Sequence, residues 1–400
     1  MKKILLAICL LAPAFLLAQS AVKPLIAYGR PDSIYSTILQ ENRPLFIYTP
    51  PLDTPYFSQA RYPVLYVLDG DQHFELLHAM MQELIFNDIT ALPKMIIVGI
   101  ANTPNNRTKD LTSFKDKMSS RSGGGQNFIS FLEKELIPYI NKQYSTAPYN
   151  VLIGHSLGGL MATDVMLHQS KLFNAYLAID PSLFWSQRAT LKNIQYSGLA
   201  NKKYYLAIAH TMEPDLDSIT VRKDTSQTSV HINAMLSFVD SLKSKAPGSL
   251  KWKAKYYPDE DHASVPVIAM YDGLKFIFNK YRFPTNKYMD ASIPAETLRK
   301  MILKHYEEIS KDQGYPVKPS EVVFNNMGYF HQQQQHYEHA KMFFELNIHF
   351  YPESSNTYDS MGDLYNALKD TTHAIQNYEK ALSLKFSNET NDKLKQLKSH

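Results

Sequence analysis

The sequence predicts an α/β fold, a mostly parallel sheet flanked by helices, followed by an all-α repeat region. Three observations predict it. From about Ile26 to Phe283, short apolar runs alternate with helix-length segments, the order that builds a parallel sheet covered on both faces. Within that stretch Val151-Leu-Ile-Gly-His-Ser-Leu-Gly-Gly-Leu160 reads as strand, tight turn and helix. Beyond Phe283 no run reads as a strand, and two segments match at an offset of 34 residues (362 − 328).

The elements follow in chain order. Residues 43–49 read as a strand, and 62–68 is uninterruptedly apolar, as a strand buried on both faces requires. Residues 74–87 carry apolar side chains at helical spacing. Residues 94–101 are rich in β-branched side chains and read as a strand. Gly123-Gly124-Gly125 provides a flexible entry to a helix over 126–143. Residues 149–153 form the strand before Ser156, and helical spacing resumes over 159–168. Further strands are expected at 173–179, 203–209 and 251–257, with helices at 231–243 and 266–280.

A chain of 400 residues favours two domains, and its composition is that of an ordinary globular protein. Lys2 and Lys3, the apolar run 4–17 and Ala18-Gln19-Ser20-Ala21 predict a signal peptide over 1–20, cut after Ala18 or Ser20. The run is short for a membrane span, and no other segment is apolar enough for one. An exported protein, periplasmic or secreted, is therefore expected. Cleavage would remove Cys9, the one cysteine, and with it any disulfide or thiol chemistry. It would also lower the formal charge from +4 to +2 (4 − 2 lysines), too near neutral to argue for nucleic acid.

The chemistry starts at Gly154-His155-Ser156-Leu157-Gly158. Between a strand and a helix this spacing makes a nucleophile elbow, with small flanking residues so that the turn can close. Ser156 is the candidate nucleophile, and the Leu157 N–H at the helix start faces the developing oxyanion. A serine hydroxyl needs a base, and the base needs an orienting carboxylate. In sheets of this kind the chain order is serine, acid, histidine. His262, in the loop after the last expected strand, is the candidate base. His155 flanks the nucleophile and is expected to point elsewhere, and His210 and His231 precede that strand. The acid is sought after 203–209, where Glu213 is the first choice, with Asp215 and Asp217 as alternatives. After 62–68 comes Asp69-Gly70-Asp71-Gln72, whose Asp71 N–H is the candidate second oxyanion donor. A metal reading of Asp69 and Asp71 lacks a further ligand at usable spacing, so neither metal nor cofactor is expected.

Five motifs in order carry a family resemblance. They are 62–71 (Tyr-Pro-Val-Leu-Tyr-Val-Leu-Asp-Gly-Asp), Gly99-Ile-Ala-Asn-Thr-Pro with Arg107-Thr-Lys-Asp-Leu-Thr112, the Gly-His-Ser-Leu-Gly-Gly run, Pro181-Ser-Leu-Phe-Trp185, and Glu260-Asp-His-Ala-Ser-Val265. Together they resemble the putative-esterase family, which includes enterochelin esterases and esterase D-like enzymes. The resemblance implies an α/β-hydrolase fold and cofactor-free, serine-dependent ester hydrolysis. The family spans siderophore lactones, acyl sugars and thioesters, so the resemblance leaves the small-molecule ester substrate open. Arg107 is placed to hold a substrate carboxylate or catecholate, or else to pair with Asp110; Phe184 and Trp185 are placed to wall an acyl pocket or to lie partly in the core.

In the C-terminal region Gly328 and Gly362, Ala340 and Ala374, Phe344 and Tyr378, and Asn347 and Ala381 stand 34 apart. This period resembles the tetratricopeptide repeat, a helix–turn–helix unit. His331, His336 and His339 lack carboxylate or Cys neighbours and are expected at the surface. Two repeats bury little apolar area, so a neighbour is expected beside them, either the segment 295–312 or the sheet domain. The expected organisation is a signal peptide at 1–20, an esterase domain at 21–283, a helical linker at 284–320 and tetratricopeptide-like repeats at 321–400. The repeats suit a protein partner, and a catalytically silent envelope scaffold that binds one is the alternative function.

Overall fold

The computed structural model describes residues 29–51, 60–85, 92–192, 194–217, 219–224, 226 and 228–399. The expected signal peptide, Cys9 within it, and positions 86 and 87 of the first expected helix lie outside these described residues.

Eight strands form one sheet: β1 (Arg30–Ser36), β2 (Glu41–Tyr48), β3 (Tyr62–Leu68), β4 (Ile96–Ile100), β5 (Thr146–His155), β6 (Ala175–Ile179), β7 (Lys203–Ala209) and β8 (Lys251–Tyr257). Their order is β1-β2-β4-β3-β5-β6-β7-β8. The pairs β1–β2 and β2–β4 are antiparallel, and the remaining pairs are parallel. The inner strands β3, β4, β6 and β7 are buried along their whole length, which is why they stand out in the sequence as unbroken apolar runs. β1 was not expected. Its sequence, Arg-Pro-Asp-Ser-Ile-Tyr-Ser, is half polar, and it joins the sheet only at the edge.

Helices cover both faces, and alternate residues of each strand serve the two cores. Val64, Tyr66 and Leu68 of β3 face one core, Leu65 and Val67 the other. The first core takes Phe128, Phe131, Leu132 and Ile140 of a long rod, made of α3 (Gly125–Phe131), a π-helical turn (Leu132–Leu136) and α4 (Ile137–Gln143). It also takes α5 (Leu157–His168) and α7 (Ser229–Lys245) through Met161, Val165, Ile232 and Phe238. The second core takes α1 (Gly70–Ile85) and α8 (Val265–Ile277) through Phe74, Leu77, Met81, Met270 and Leu274. The short helices α2 (Arg107–Asp110) and α6 (Trp185–Arg188) lie in connections above the strand ends.

The helical region comprises α9 (Ala295–Gln313), α10 (Glu321–Gln333), α11 (Tyr337–Phe350), α12 (Ser355–Ala367), α13 (Thr371–Leu384) and α14 (Asn388–Lys398). The 34-residue period has a steric basis. A Cβ on Gly328 would enter the Phe344 ring, and one on Gly362 would enter the Tyr378 ring. Each unit therefore crosses with a glycine on its first helix against an aromatic ring on its second. The array has neighbours on both sides. Leu298 and Ile302 of α9 pack with Phe324, Phe343 and Leu346, and Leu394 of α14 packs with Ala374 and Tyr378. Two of the histidines expected at the surface are instead buried. The His331 Nε2–H bonds the Tyr288 carbonyl at 2.6 Å, and the His339 Nε2–H bonds the Ile293 carbonyl at 2.8 Å. They fasten the segment before α9 to the first repeat.

The helical region meets the sheet at the N-terminal ends of its strands. Asp312 of α9 pairs with Lys203 and Lys251, the first residues of β7 and β8, and the Tyr315 ring lies 6.4 Å from that of Tyr149 in β5. Lys203 and Asp312 are both almost wholly buried. Burial lowers the Lys203 pKa, and Asp312 works against that shift. Removing one partner of such a pair leaves an uncompensated buried charge. Asp312→Ala is therefore expected to cost about 3 kcal/mol or more in urea unfolding, while Lys304→Ala at an exposed position of α9 should change stability by less than about 0.5 kcal/mol.

Candidate active site

The C-terminal ends of the parallel strands, opposite the helical region, carry a dense set of polar side chains. Ser156 follows β5 directly, with φ 58° and ψ −116°. This is the strained turn expected of an elbow serine. The glycines around it are sterically required. A Cβ on Gly154 would collide with the Gly158 carbonyl and would come within 2.9 Å of the Gly159 nitrogen. Backbone bonds hold the turn on both sides. The Ser156 N–H bonds the Ile179 carbonyl, and the Ser182 N–H bonds the Ser156 carbonyl, each at 3.0 Å.

His262, in the loop between β8 and α8, points Nε2 at the Ser156 Oγ at 3.1 Å. Its Nδ1–H bonds the Oδ2 of Asp180 at 2.6 Å. The structure thus brings Ser156 and His262 together but sets Asp180, not Glu213, behind the histidine. Asp180 follows β6, one strand earlier than expected. Its N–H bonds the Ala207 carbonyl, and its Oδ1 accepts the Ala209 N–H at 2.9 Å. These bonds draw the carboxylate under the His262 ring. Glu213, Asp215 and Asp217 are exposed, and the Asp217 carboxylate is occupied with the Ile219 and Thr220 amides. The sequence signal for Asp180 was an acid placed directly after a buried strand, in Ile179-Asp180-Pro181-Ser182.

Burial alone would raise the Asp180 pKa. Hydrogen bonds from His231, His262 and the Ala209 amide outweigh it and hold the carboxyl well below the usual carboxylate range. His155 turns its Nε2 to the His262 loop and not to Ser156. Its ring lies 4.5 Å from that of His262, and its Nε2–H bonds the His262 carbonyl at 2.8 Å. Burial, then the neighbouring His262 and His73, lower its pKa to about 4, so at neutral pH it is an uncharged donor that fixes the His262 loop. Asp180, His231 and His262 each bring a ligand atom within 4.8 Å of the others. Both ring nitrogens concerned already bond Oδ2, so a cation would have to break both bonds to bind there.

Two helix starts flank Ser156. Leu157 opens α5 and Gly70 opens α1, and first-turn amides have no intrahelical partner. The expected loop 69–72 is thus mostly helix, with Asp71 in its first turn. The two starts abut, since a Cβ on Gly158 would lie 3.1 Å from the Asp69 Oδ2. The Asp71 carboxylate accepts the Asn102 backbone and side-chain N–H groups, each at 3.1 Å. Arg107 does not pair with Asp110. It forms a bidentate pair with buried Asp69 (2.6 and 2.9 Å), while Asp110 pairs with Arg43. Asp69 and Arg107 thus brace the α1 start. Trp185 is buried and donates Nε1–H to the Phe114 carbonyl at 3.0 Å, so it fastens a neighbouring loop. Phe184 is half-buried and lies 5.4 Å from His231, beside the histidine cluster.

A doubly wound sheet with an elbow serine, a following acid and a late histidine defines an α/β-hydrolase. Residues 36–231 match the family described as "Putative esterase", and 355–388 match a tetratricopeptide repeat. The solved structure described as an IroE-like serine hydrolase from Shewanella oneidensis is 31% identical, with a TM-score of 0.66 over 80% of this chain and 99% of that one. The chain belongs to this esterase family. The ferri-bacillibactin esterase BesA of Bacillus subtilis is 28% identical over 180 residues, 41% of this chain. The siderophore enterobactin esterase of Emericella nidulans is 27% identical over 176 residues, 39% of this chain. The chain spans 62% and 57% of the length of these two curated relatives. Among the described residues, no helix is long and apolar enough to cross a membrane.

The elbow yields a direct test of the backbone constraint. Gly154→Ala should destabilise the protein by about 2 kcal/mol or more in urea unfolding, through the clash with Gly158. Gly198→Ala, whose added methyl would meet only the Ser170 Oγ at 3.5 Å, should change stability by less than about 0.5 kcal/mol.

Proposed function

We propose that this protein is an exported serine esterase that hydrolyses carboxylic esters of the siderophore type through Ser156, His262 and Asp180. The observation that carries the reading is the hydrogen-bonded line from the Ser156 Oγ through both nitrogens of His262 to the Asp180 Oδ2. His262 takes the hydroxyl proton as Ser156 Oγ attacks the ester carbonyl. Asp180 keeps the Nδ1–H tautomer and stabilises the imidazolium. The Leu157 and Asp71 N–H groups hold the oxyanion. Collapse of the tetrahedral intermediate expels the alcohol, which takes the proton from His262. Water, deprotonated by His262, then attacks the acyl-enzyme and releases the acid and the free serine.

The siderophore class is supported by the names of the curated relatives, which act on bacillibactin and enterobactin esters. Export is supported by the Lys2-Lys3 and apolar 4–17 segment. The intact serine–histidine–carboxylate geometry weighs against a silent scaffold. The helical repeats remain the proposed place for a protein partner.

Reaction with a fluorophosphonate and hydrolysis of p-nitrophenyl butyrate, feruloyl and acetyl sugars, and a catecholate trilactone with and without iron test the reading. The trilactone should show the highest kcat/KM, and Ser156→Ala should abolish both turnover and labelling. A folded Ser156→Ala protein with undiminished hydrolysis would exclude the serine mechanism. Asp180→Asn should lower kcat about 10³- to 10⁴-fold, whereas Glu213→Gln should stay within about twofold of the wild type.

A further inference from the structure

We infer that His231 is a positioning residue of this site, a second imidazole donor to the carboxylate that orients His262. The inference rests on the triad reading above. Asp180 Oδ2 accepts two hydrogen bonds, from His262 Nδ1 at 2.6 Å and from His231 Nε2 at 2.9 Å. Oδ1 accepts the Ala209 N–H. With both oxygens engaged, the carboxylate cannot turn about its Cβ–Cγ bond without losing a partner. His231 is itself held. It sits in the first turn of α7, edge-on to His262 (5.4 Å, 87°) and to Phe184 (5.4 Å, 71°). Its side chain is only 15% exposed.

The shared oxygen has a chemical consequence. Asp180 stabilises the His262 imidazolium by its charge, and a donor already on Oδ2 reduces that attraction. A carboxylate held at both oxygens keeps the His262 ring, and with it Nε2, aimed at the Ser156 Oγ. The other titratable groups around the ring are His155 at the end of β5, Ser156, and Asp261 on the loop of His262. Behind His155 stand His73 and the Asp69–Arg107 pair. Asp261 is spent on the Ala263 and Ser264 amides, and His155 bonds the His262 carbonyl rather than its ring nitrogens. Among the described residues, Asp180 and Ser156 bond the His262 ring nitrogens, and His231 acts through the first of them.

The test is kcat and KM for a small activated ester, with the rate of fluorophosphonate labelling of Ser156 alongside. In His231→Phe, kcat should fall about tenfold with KM within about twofold. His231→Gln keeps a neutral donor toward Oδ2 and should restore kcat to near the wild-type value. Low-field proton NMR adds a readout independent of turnover. The wild type should show an exchangeable imidazole proton from each ring, and His231→Gln should lose one of them. An unchanged kcat in folded His231→Phe, or a His231→Gln protein as impaired as His231→Phe, would overturn the inference. A wild-type protein that reacts with no fluorophosphonate would overturn the triad reading itself. Normal labelling with identical kcat and KM in all three proteins would remove only the role of His231.

Discussion

Two backbone hydrogen bonds join the end of β5 to the end of β6, from the Ser156 N–H to the Ile179 carbonyl and from the Ser182 N–H to the Ser156 carbonyl. The rest of the site depends on them. They hold Ser156 in a backbone conformation that costs of order 1–3 kcal/mol when it is not imposed by its surroundings. They also fix Asp180, which lies between the two bonded segments, relative to the serine. Because Asp180 is placed by backbone contacts, its carboxylate meets His262 without a flexible loop having to close first. Such preorganisation lets a dipole or charge act on a reaction without rearranging during it.

The strands and helices of the sheet region were legible because burial on both faces leaves an unambiguous apolar run, as at Tyr62–Leu68 and Lys203–Ala209. The edge strand Arg30–Ser36 was not legible, because one side of it faces solvent and its pattern is weak. Ser156 and His262 could be located from local context, a turn between strand and helix and a loop after the last strand. The acid could not. Its place depends on which strand end lies under the histidine, a tertiary fact, and Glu213 is one strand too late. Local sequence also could not show that Arg107 would meet Asp69 across two loops. His331 and His339 sit among polar residues in the chain, yet their Nε2–H groups are consumed by the carbonyls of Tyr288 and Ile293.

The sheet has a chemical end and a structural end. The catalytic candidates lie at the C-terminal ends of the strands, and the helical region docks at the N-terminal ends through Asp312, Lys203 and Lys251. The period of 34 residues arises from a repeated glycine–ring contact that is independent of the sheet. The two regions therefore answer to different constraints, the geometry of the Ser156–His262–Asp180 line on one side and helix packing on the other.

The outermost strand β8 reads Lys251-Trp-Lys-Ala-Lys-Tyr-Tyr257, with lysines at every second position. Lys251 and Lys255 reach Asp312 and Asp272, and Lys253 is exposed. At the opposite border, β1 carries Arg30, Pro31 and Asp32. An open sheet border offers unpaired amides and carbonyls to any passing extended chain, and charge and proline are what discourage the addition. Both borders thus carry charge along their edges. An extended chain approaching either border would meet these charged margins as barriers to strand addition.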